Sequence, residues 1–150
     1  MQLTLHAEYA LRVLLYLGVH PDRSCTTREI SETYRISRNH LVRVVQTLNE
    51  HGYVELQTGR NGGIRLKQEP RLIRLGNVVR DAEPNMRMAE CFHRATNTCV
   101  LTPVCSLKPV LNEALQAFLS SLNKYSLADL FAHGTQRQMA ARFATIALIS

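Results

Sequence analysis

The sequence has no run approaching the roughly 18 consecutive apolar residues that a membrane span needs, so no membrane protein is expected. Met1 leads directly into Gln2, Leu3 and Thr4, with no cationic stretch and no small-residue cleavage site. A secretory leader is therefore not expected, and a reducing cytoplasm is the default compartment. Closely spaced Cys-x-x-Cys pairs, the usual zinc signature, are missing although the chain has 4 cysteines. No Gly-Lys-Ser/Thr follows a glycine-rich stretch, which excludes a P-loop. No Ser/His/Asp set, carboxylate pair or nucleotide motif is present, and the chain does not read as an enzyme.

The 150 residues are 45% hydrophobic and 20% charged, a globular composition for one ordinary domain or a small domain with an extension. Residues 1–80 carry 12 Lys+Arg against 7 Asp+Glu, and residues 81–150 carry 6 against 5, so most of the net charge of +6 lies in the first half. Of the cationic residues in that half, only Lys67 is lysine. Arginine contacts phosphate and guanine in bidentate fashion, which favours a nucleic-acid partner. A solvated basic surface explains the charge alone equally well.

The spacing of Ala7, Ala10, Leu11, Leu14 and Leu17 predicts a helix over 7–19, ended by His20-Pro21-Asp22. Thr26-Thr27-Arg28-Glu29 reads as a capping box, with Thr26 accepting from a first-turn amide and Glu29 reaching back. Its short helix carries Ile30 inward and runs to about Tyr34. Ser37 is placed to cap a third helix that ends near His51-Gly52. Leu41, Val44, Val45 and Leu48 form the apolar face of that helix, and Arg38, Asn39, Arg43 and Gln46 the outer one. A short helix, a tight connection and a longer helix with a cationic face make the helix-turn-helix pattern. Thr27, Arg28, Ser37, Arg38, Asn39, His40 and Arg43 are its candidate DNA contacts. Arginine pairs with guanine O6 and N7, and Asn or Gln with adenine N6 and N7.

A hairpin follows. Val54 and Leu56 alternate in period two, as do Ile64 and Leu66, about a glycine-rich tip containing Asn61-Gly62. Arg60, Asn61, Gly62 and Gly63 are candidates for a wing that reaches phosphate or a minor groove. Alone, the tip would read as an ordinary hairpin; its place directly after a helix-turn-helix favours the wing.

In the second half, Leu75, Val78, Val79 and Ala82 predict a short helix stopped by Pro84. A longer helix starts at Ser106, with Pro109 tolerated in its first turn. Leu107, Leu111, Ala114, Phe118 and Leu122 space out nearly as a coiled-coil seam, which points to a partner subunit. Packing on the first helix is the intramolecular alternative. Ser126-Leu127-Ala128-Asp129 reads as a capped short helix. Residues 136–150 are weakly helical, and either pack on the domain or are disordered.

Between these helices, Cys91, Cys99 and Cys105 lie on a loop-like stretch punctuated by Thr96-Asn97-Thr98 and Pro103. Thiolates on such a loop can converge on one metal centre, either zinc or an iron–sulfur cluster. Unrelated buried cysteines are the plain alternative. Cys25, far away in sequence, reads as structural. The expected fold is mainly α with a small β-hairpin wing. A winged helix-turn-helix domain spans 1–83, a cluster loop 84–105, a dimerisation helix with a short following helix 106–131, and a C-terminal extension 132–150.

Several motifs together resemble the Rrf2 family of winged-helix iron–sulfur regulators, in its nitric-oxide-sensing branch. They are Met1-Gln2-Leu3-Thr4, Glu8-Tyr9-Ala10-Leu11-Arg12, Ser37-Arg38-Asn39-His40, Gly59-Arg60-Asn61-Gly62-Gly63-Ile64-Arg65-Leu66 and Val78-Val79-Arg80-Asp81-Ala82-Glu83-Pro84. Cys91, Cys99, Leu101-Thr102-Pro103-Val104-Cys105 and Tyr125-Ser126-Leu127-Ala128-Asp129-Leu130 complete the match over about residues 1–131. The resemblance implies a homodimeric cytoplasmic repressor that binds a palindromic operator in double-stranded DNA. It implies one cluster per subunit, 4Fe-4S ahead of 2Fe-2S, on Cys91, Cys99 and Cys105. The fourth ligand in this branch is an acidic side chain from the partner's first helix, the place Glu8 occupies. His93 is the competing ligand, and Glu8 also suits a helix N-terminus electrostatically. In the iron–sulfur-biogenesis branch a histidine follows the last cysteine by three positions; here that position is Lys108.

The implied switch is mechanical. The cluster restrains two recognition helices at the roughly 34–36 Å that successive major grooves require. Nitrosylation lifts the restraint and with it repression. The alternatives are an iron–sulfur-biogenesis type of regulator, a zinc-stabilised DNA-binding regulator, an iron–sulfur electron carrier and a cluster-free dimeric regulator.

Overall fold

A computed structural model describes residues 2–59 and 62–148. Helix α1 (Leu5–Val19) begins two residues ahead of the expected start, because the Thr4 hydroxyl accepts from the Ala7 amide and so caps the first turn. At its other end the His20 ring donates from Nδ1 to the Tyr16 carbonyl over 2.8 Å. Helix α2 (Thr27–Tyr34) takes half of the expected capping box. Thr26 Oγ1 accepts from the Glu29 amide at 3.2 Å, but the Glu29 carboxylate turns to Arg23 at 2.7 Å instead of reaching back.

The turn into α3 (Arg38–Glu50) is fixed by backbone geometry. Arg35 adopts φ 54°, Ile36 N donates to Ser31 O over 3.1 Å, and Ser31 Oγ donates to Ile36 O over 2.6 Å. These bonds give the connection its sharp bend. Ser37 is at the N-cap as expected, yet its side chain makes no capping bond.

Strands β1 (Val54–Gln57) and β2 (Gly63–Leu66) pair antiparallel in the register Val54↔Leu66 and Leu56↔Ile64. Only Val54 of β1 is buried, because the strand leaves the core toward the tip. Ile64 is buried because Cys25 bridges to it from the other side: Cys25 N–Ile64 O is 2.9 Å and Ile64 N–Cys25 O is 2.7 Å. A Cβ on Gly63 would lie 2.7 Å from the Cys25 carbonyl oxygen, so only glycine allows this approach.

The core joins Ala7, Ala10, Leu14 and Leu17 of α1 to Ile30, Leu41, Val44, Leu48, Val54, Ile64, Val78 and Leu127. Helix α4 (Leu75–Ala82) lies against α1 on one side and α5 (Leu107–Leu122) on the other. Gly76 makes the second contact possible: a Cβ there would sit 2.4 Å from the Leu119 carbonyl oxygen. Two hydrogen bonds join the helices, Asn77 N to Asn123 Oδ1 at 2.9 Å and Asn123 Nδ2 to Asn77 Oδ1 at 3.1 Å. Helix α5 therefore packs chiefly on α4, with Leu115 and Leu119 its buried residues. The seam expected from spacing, Leu107, Leu111, Ala114, Phe118 and Leu122, stays exposed or half-buried.

Residues Ala128–Gly134 form a 3-10 turn in which Asp129 Oδ2 accepts from both the amide and the hydroxyl of Ser126 at 2.7 Å. Those bonds hold the Asp129 carboxyl below its ordinary pKa. Helix α6 (Thr135–Ala147) then folds back onto α1 and α2, so the described part of the C-terminal extension is packed; residues 149–150 lie outside the described residues. Its Phe143 ring meets Tyr16 at 5.0 Å, Tyr34 at 5.6 Å and His20 at 6.2 Å, and Gln136 Nε2 donates to Gly18 O over 3.0 Å. No helix among the described residues is long and apolar enough to cross a membrane.

Phe143→Ala is expected to cost roughly 2 kcal/mol, about half the loss at a fully buried phenylalanine, since the ring is half-covered. Thermal unfolding checks it, and a loss below about 0.5 kcal/mol, the scatter of ordinary surface substitutions, would contradict the docking of α6.

Candidate nucleic-acid interface and cysteine loop

The alternation that buries Leu41, Val44, Val45 and Leu48 of α3 turns Arg38, Asn39, Arg43 and Gln46 to solvent. Val42 shares that outer face at 43% exposure. Nothing in the apolar spacing of this helix singles Val42 out; its place midway between Asn39 and Gln46 on the polar face is the signal. Such a face offers bidentate donors to bases and one apolar group of the kind that meets a thymine methyl. Ser37 is exposed at the start of the helix.

His40 behaves differently from its neighbours. Its ring is half-buried and meets the Tyr9 ring of α1 edge-on at 5.5 Å. In α2, Thr27 is half-buried, while Arg28 is exposed and pairs with Glu32 at 2.8 Å along the helix. Of the wing candidates, Arg60 and Asn61 lie outside the described residues. Gly62 and Gly63 carry a backbone duty: Gly62 N donates to Gly59 O over 2.9 Å, and Gly63 lets β2 reach Cys25.

The loop between α4 and α5 has two single 3-10 turns, Glu90–Phe92 and Arg94–Thr96. Cys91 sits in the first turn; Cys99 and Cys105 follow, all three free and half-buried. Asn97 braces the middle of the loop, accepting from Cys99 N at 3.2 Å and donating to Thr102 Oγ1 at 2.8 Å. The three thiols share one loop but are not gathered: among the described residues no group of three or more His, Cys, Asp and Glu side chains is arranged to hold a metal ion. The donor chemistry fits a thiolate-bound centre, since the thiols are free, partly accessible and on backbone without long helices or strands to resist convergence.

The two candidate fourth ligands are apart in role. His93 Nδ1 bonds Thr96 Oγ1 of its own loop at 2.9 Å. Glu8 is in the first turn of α1, half-exposed and paired with Arg12. Cys25 is fully buried, and burial pushes its thiol up to about 12, so it stays protonated and structural as expected.

On the loop itself, between Cys99 and Cys105, Val100 and Val104 are 88% and 83% exposed, and Leu101 of the loop and Leu107 and Val110 of α5 are exposed as well. An apolar cavity of about 720 Å³ opens between α1, α4 and α5, lined by Leu11, Leu15, Val79, Leu115, Phe118 and Leu130. A small monomer rarely leaves this much contiguous apolar surface to water.

Comparison with known proteins places this geometry. The profile of the Rrf2 family, described as iron-dependent transcriptional regulators, matches residues 3–133. The chain is 48% identical over 131 residues to the HTH-type transcriptional regulator NsrR of Shouchella clausii, covering 87% of this chain and 88% of that one. It is 49% identical over 131 residues to NsrR of Bacillus subtilis, with 87% and 90% covered. The fold is similar to that of T. potens IscR, with a TM-score of 0.69 at 20% identity over 87% of this chain and 86% of the other. It is also similar to CymR, the global cysteine regulator of B. subtilis, with a TM-score of 0.68 at 22% identity over 87% and 95%. With a helix-turn-helix, a following hairpin, a family profile over most of its length and relatives named as transcriptional regulators, the chain belongs to the Rrf2 family of transcriptional regulators.

Proposed function

We propose that the protein is a homodimeric repressor whose grip on a palindromic operator depends on an iron–sulfur cluster and is released by nitric oxide. The observation that carries this reading is the set of three free, half-buried thiols on one compliant loop, beside apolar surface that calls for a second subunit. Cys91, Cys99 and Cys105 would hold the cluster, 4Fe-4S ahead of 2Fe-2S, with the fourth ligand from the partner's Glu8; His93 is the alternative. When bound, the cluster supplies an iron centre at which nitric oxide reacts.

The chain's own residues do the rest. The exposed seam of α5 supports pairing with a second copy, and the loop at its start then lies beside that copy. Pairing sets the separation of two α3 helices, and only separations of about 34–36 Å or a multiple of it meet two major grooves on one face of the duplex. Arg38, Asn39 and Arg43 read bases, Val42 meets a thymine methyl, and Thr27, Arg28, Ser37 and the wing residues Arg60 to Gly63 follow the backbone. The division into 1–83, 84–105, 106–131 and 132–150 follows these duties, the last segment bracing α1 and α2. A biogenesis-type sensor is less well supported, because Lys108, a cation, stands where that branch has its histidine.

Air-free purification with assay of iron and acid-labile sulfide tests the reading. Equimolar iron and sulfide are expected; zinc without sulfide would replace it with the zinc-stabilised regulator. Arg38→Ala is expected to cost about 1–3 kcal/mol on the operator and to relax the base preference at one position of each half-site. A uniform loss across all sequences would make Arg38 a phosphate contact.

A further inference from the structure

We infer that Tyr9 and His6 of α1 are positioning residues that set the pose of the recognition helix and tie it to the state of Glu8. The inference rests on the proposed role of Glu8. Beyond the apolar packing of Ala7 and Ala10 in the core shared with α3, two directional contacts join the first half of α1 to α3. One is the edge-on meeting of the Tyr9 and His40 rings at 5.5 Å. The other is the hydrogen bond between His6 Nε2 and Thr47 Oγ1 at 3.0 Å. Its direction follows from proton counting: Thr47 Oγ1 donates its one proton to the Arg43 carbonyl at 3.2 Å, so His6 Nε2 carries the hydrogen and Thr47 accepts. On α3 the two contacts are seven residues apart, about two turns of helix, with His40 directly after Asn39 and Thr47 directly after Gln46, and Val42 and Arg43 between them.

Arg12 connects Tyr9, the first of these contacts, to Glu8. Its guanidinium binds the Glu8 carboxylate and lies 5.7 Å from the centre of the Tyr9 ring. The same cation sits 5.7 Å from the Tyr34 ring at the end of α2. A guanidinium is drawn to the faces of aromatic rings, and its hold on them changes with the carboxylate that competes for it. A Glu8 carboxylate engaged elsewhere leaves Arg12 to the two rings, one touching α3 and the other closing α2. The helix-turn-helix is thereby held by the residue that also holds Glu8. A ligand shifts an equilibrium only through contacts that differ between its states, and these contacts differ with the partner of Glu8.

The test uses full-length protein purified air-free. Tyr9→Leu is expected to keep the visible absorption while the ratio of operator affinities before and after nitric oxide falls from about 100-fold to under about 10-fold. Tyr9→Phe, which keeps the ring, should restore the ratio. Thr47→Val, which removes the acceptor for His6 at constant shape, should lower the ratio by about 3-fold, the size of one modest hydrogen bond. In metal-free protein, the His40 ring proton signals should move in Tyr9→Leu and stay in Tyr9→Phe. A folded Tyr9→Leu protein with the full ratio, or with unmoved His40 signals, overturns the inference. A wild-type protein with no nitric-oxide-dependent ratio overturns the underlying reading of Glu8 instead.

Discussion

Cys99→Ala is expected to give folded, colourless protein that binds its operator about 100-fold more weakly, a loss of roughly 2.7 kcal/mol. The fold should survive because the Cys99 side chain belongs to no core cluster; the loop is braced there by Asn97, through bonds to the Cys99 amide and to Thr102. Two thiols and a carboxylate do not complete the ligand set, so the loop loses its reason to converge. Circular dichroism and thermal unfolding should match the wild-type metal-free protein. Visible absorption and iron content should be absent, and operator binding should equal that of wild-type protein stripped of metal. Full repression in cells by this variant would break the link between loop and DNA. Cys25→Ala serves as contrast. It loses core packing and stability, because the fully buried side chain leaves a gap, yet it keeps the colour.

Gly76→Ala should destabilise the protein more than its single added methyl suggests. The new Cβ would meet the Leu119 carbonyl oxygen at 2.4 Å and Asn123 Oδ1 at 2.6 Å. The side-chain amide can move; the backbone of α5 cannot move without giving up the Leu115 and Leu119 contacts on α4. Overpacking of this kind costs about 1–3 kcal/mol or more, and for a chain of this size each kcal/mol lowers Tm by roughly 2–4 °C. Asn123→Ala alone should cost about 1–2 kcal/mol through the lost bonds to Asn77. Combining the two should not return the protein to the level of Asn123→Ala, because the clash with the Leu119 carbonyl remains. A neutral Gly76→Ala would contradict the α4–α5 contact that carries the loop and the seam.

Much of the scaffold was legible because its signals are local. The period of Ala7, Ala10, Leu14 and Leu17 and the threonine before the second helix mark elements within a turn or two of themselves, while the Thr4 cap that starts α1 two residues earlier was not legible from that period. What the sequence hid depends on distant partners. Glu29 looked like half of a capping box, but Arg23 lay close enough to take its carboxylate. His40 looked like a base reader, and only folding shows Tyr9 across from it. Gly62 and Gly63 read as part of a glycine-rich wing tip, and only the fold shows that Gly63 also answers the approach of Cys25, far earlier in the chain. Helix α6 gave only a weak pattern because its anchor, Phe143, packs on rings from Tyr16, His20 and Tyr34, separated by more than a hundred residues. The cysteines were legible as three donors on a loop, and among the described residues they are not gathered to hold a metal ion.

The most direct measurement compares operator affinity, at one salt concentration and without air, for cluster-loaded, nitric-oxide-treated and metal-stripped protein. The account predicts tight binding only by the loaded form, with both others weaker by about 100-fold. Equal affinity in all three states would contradict it.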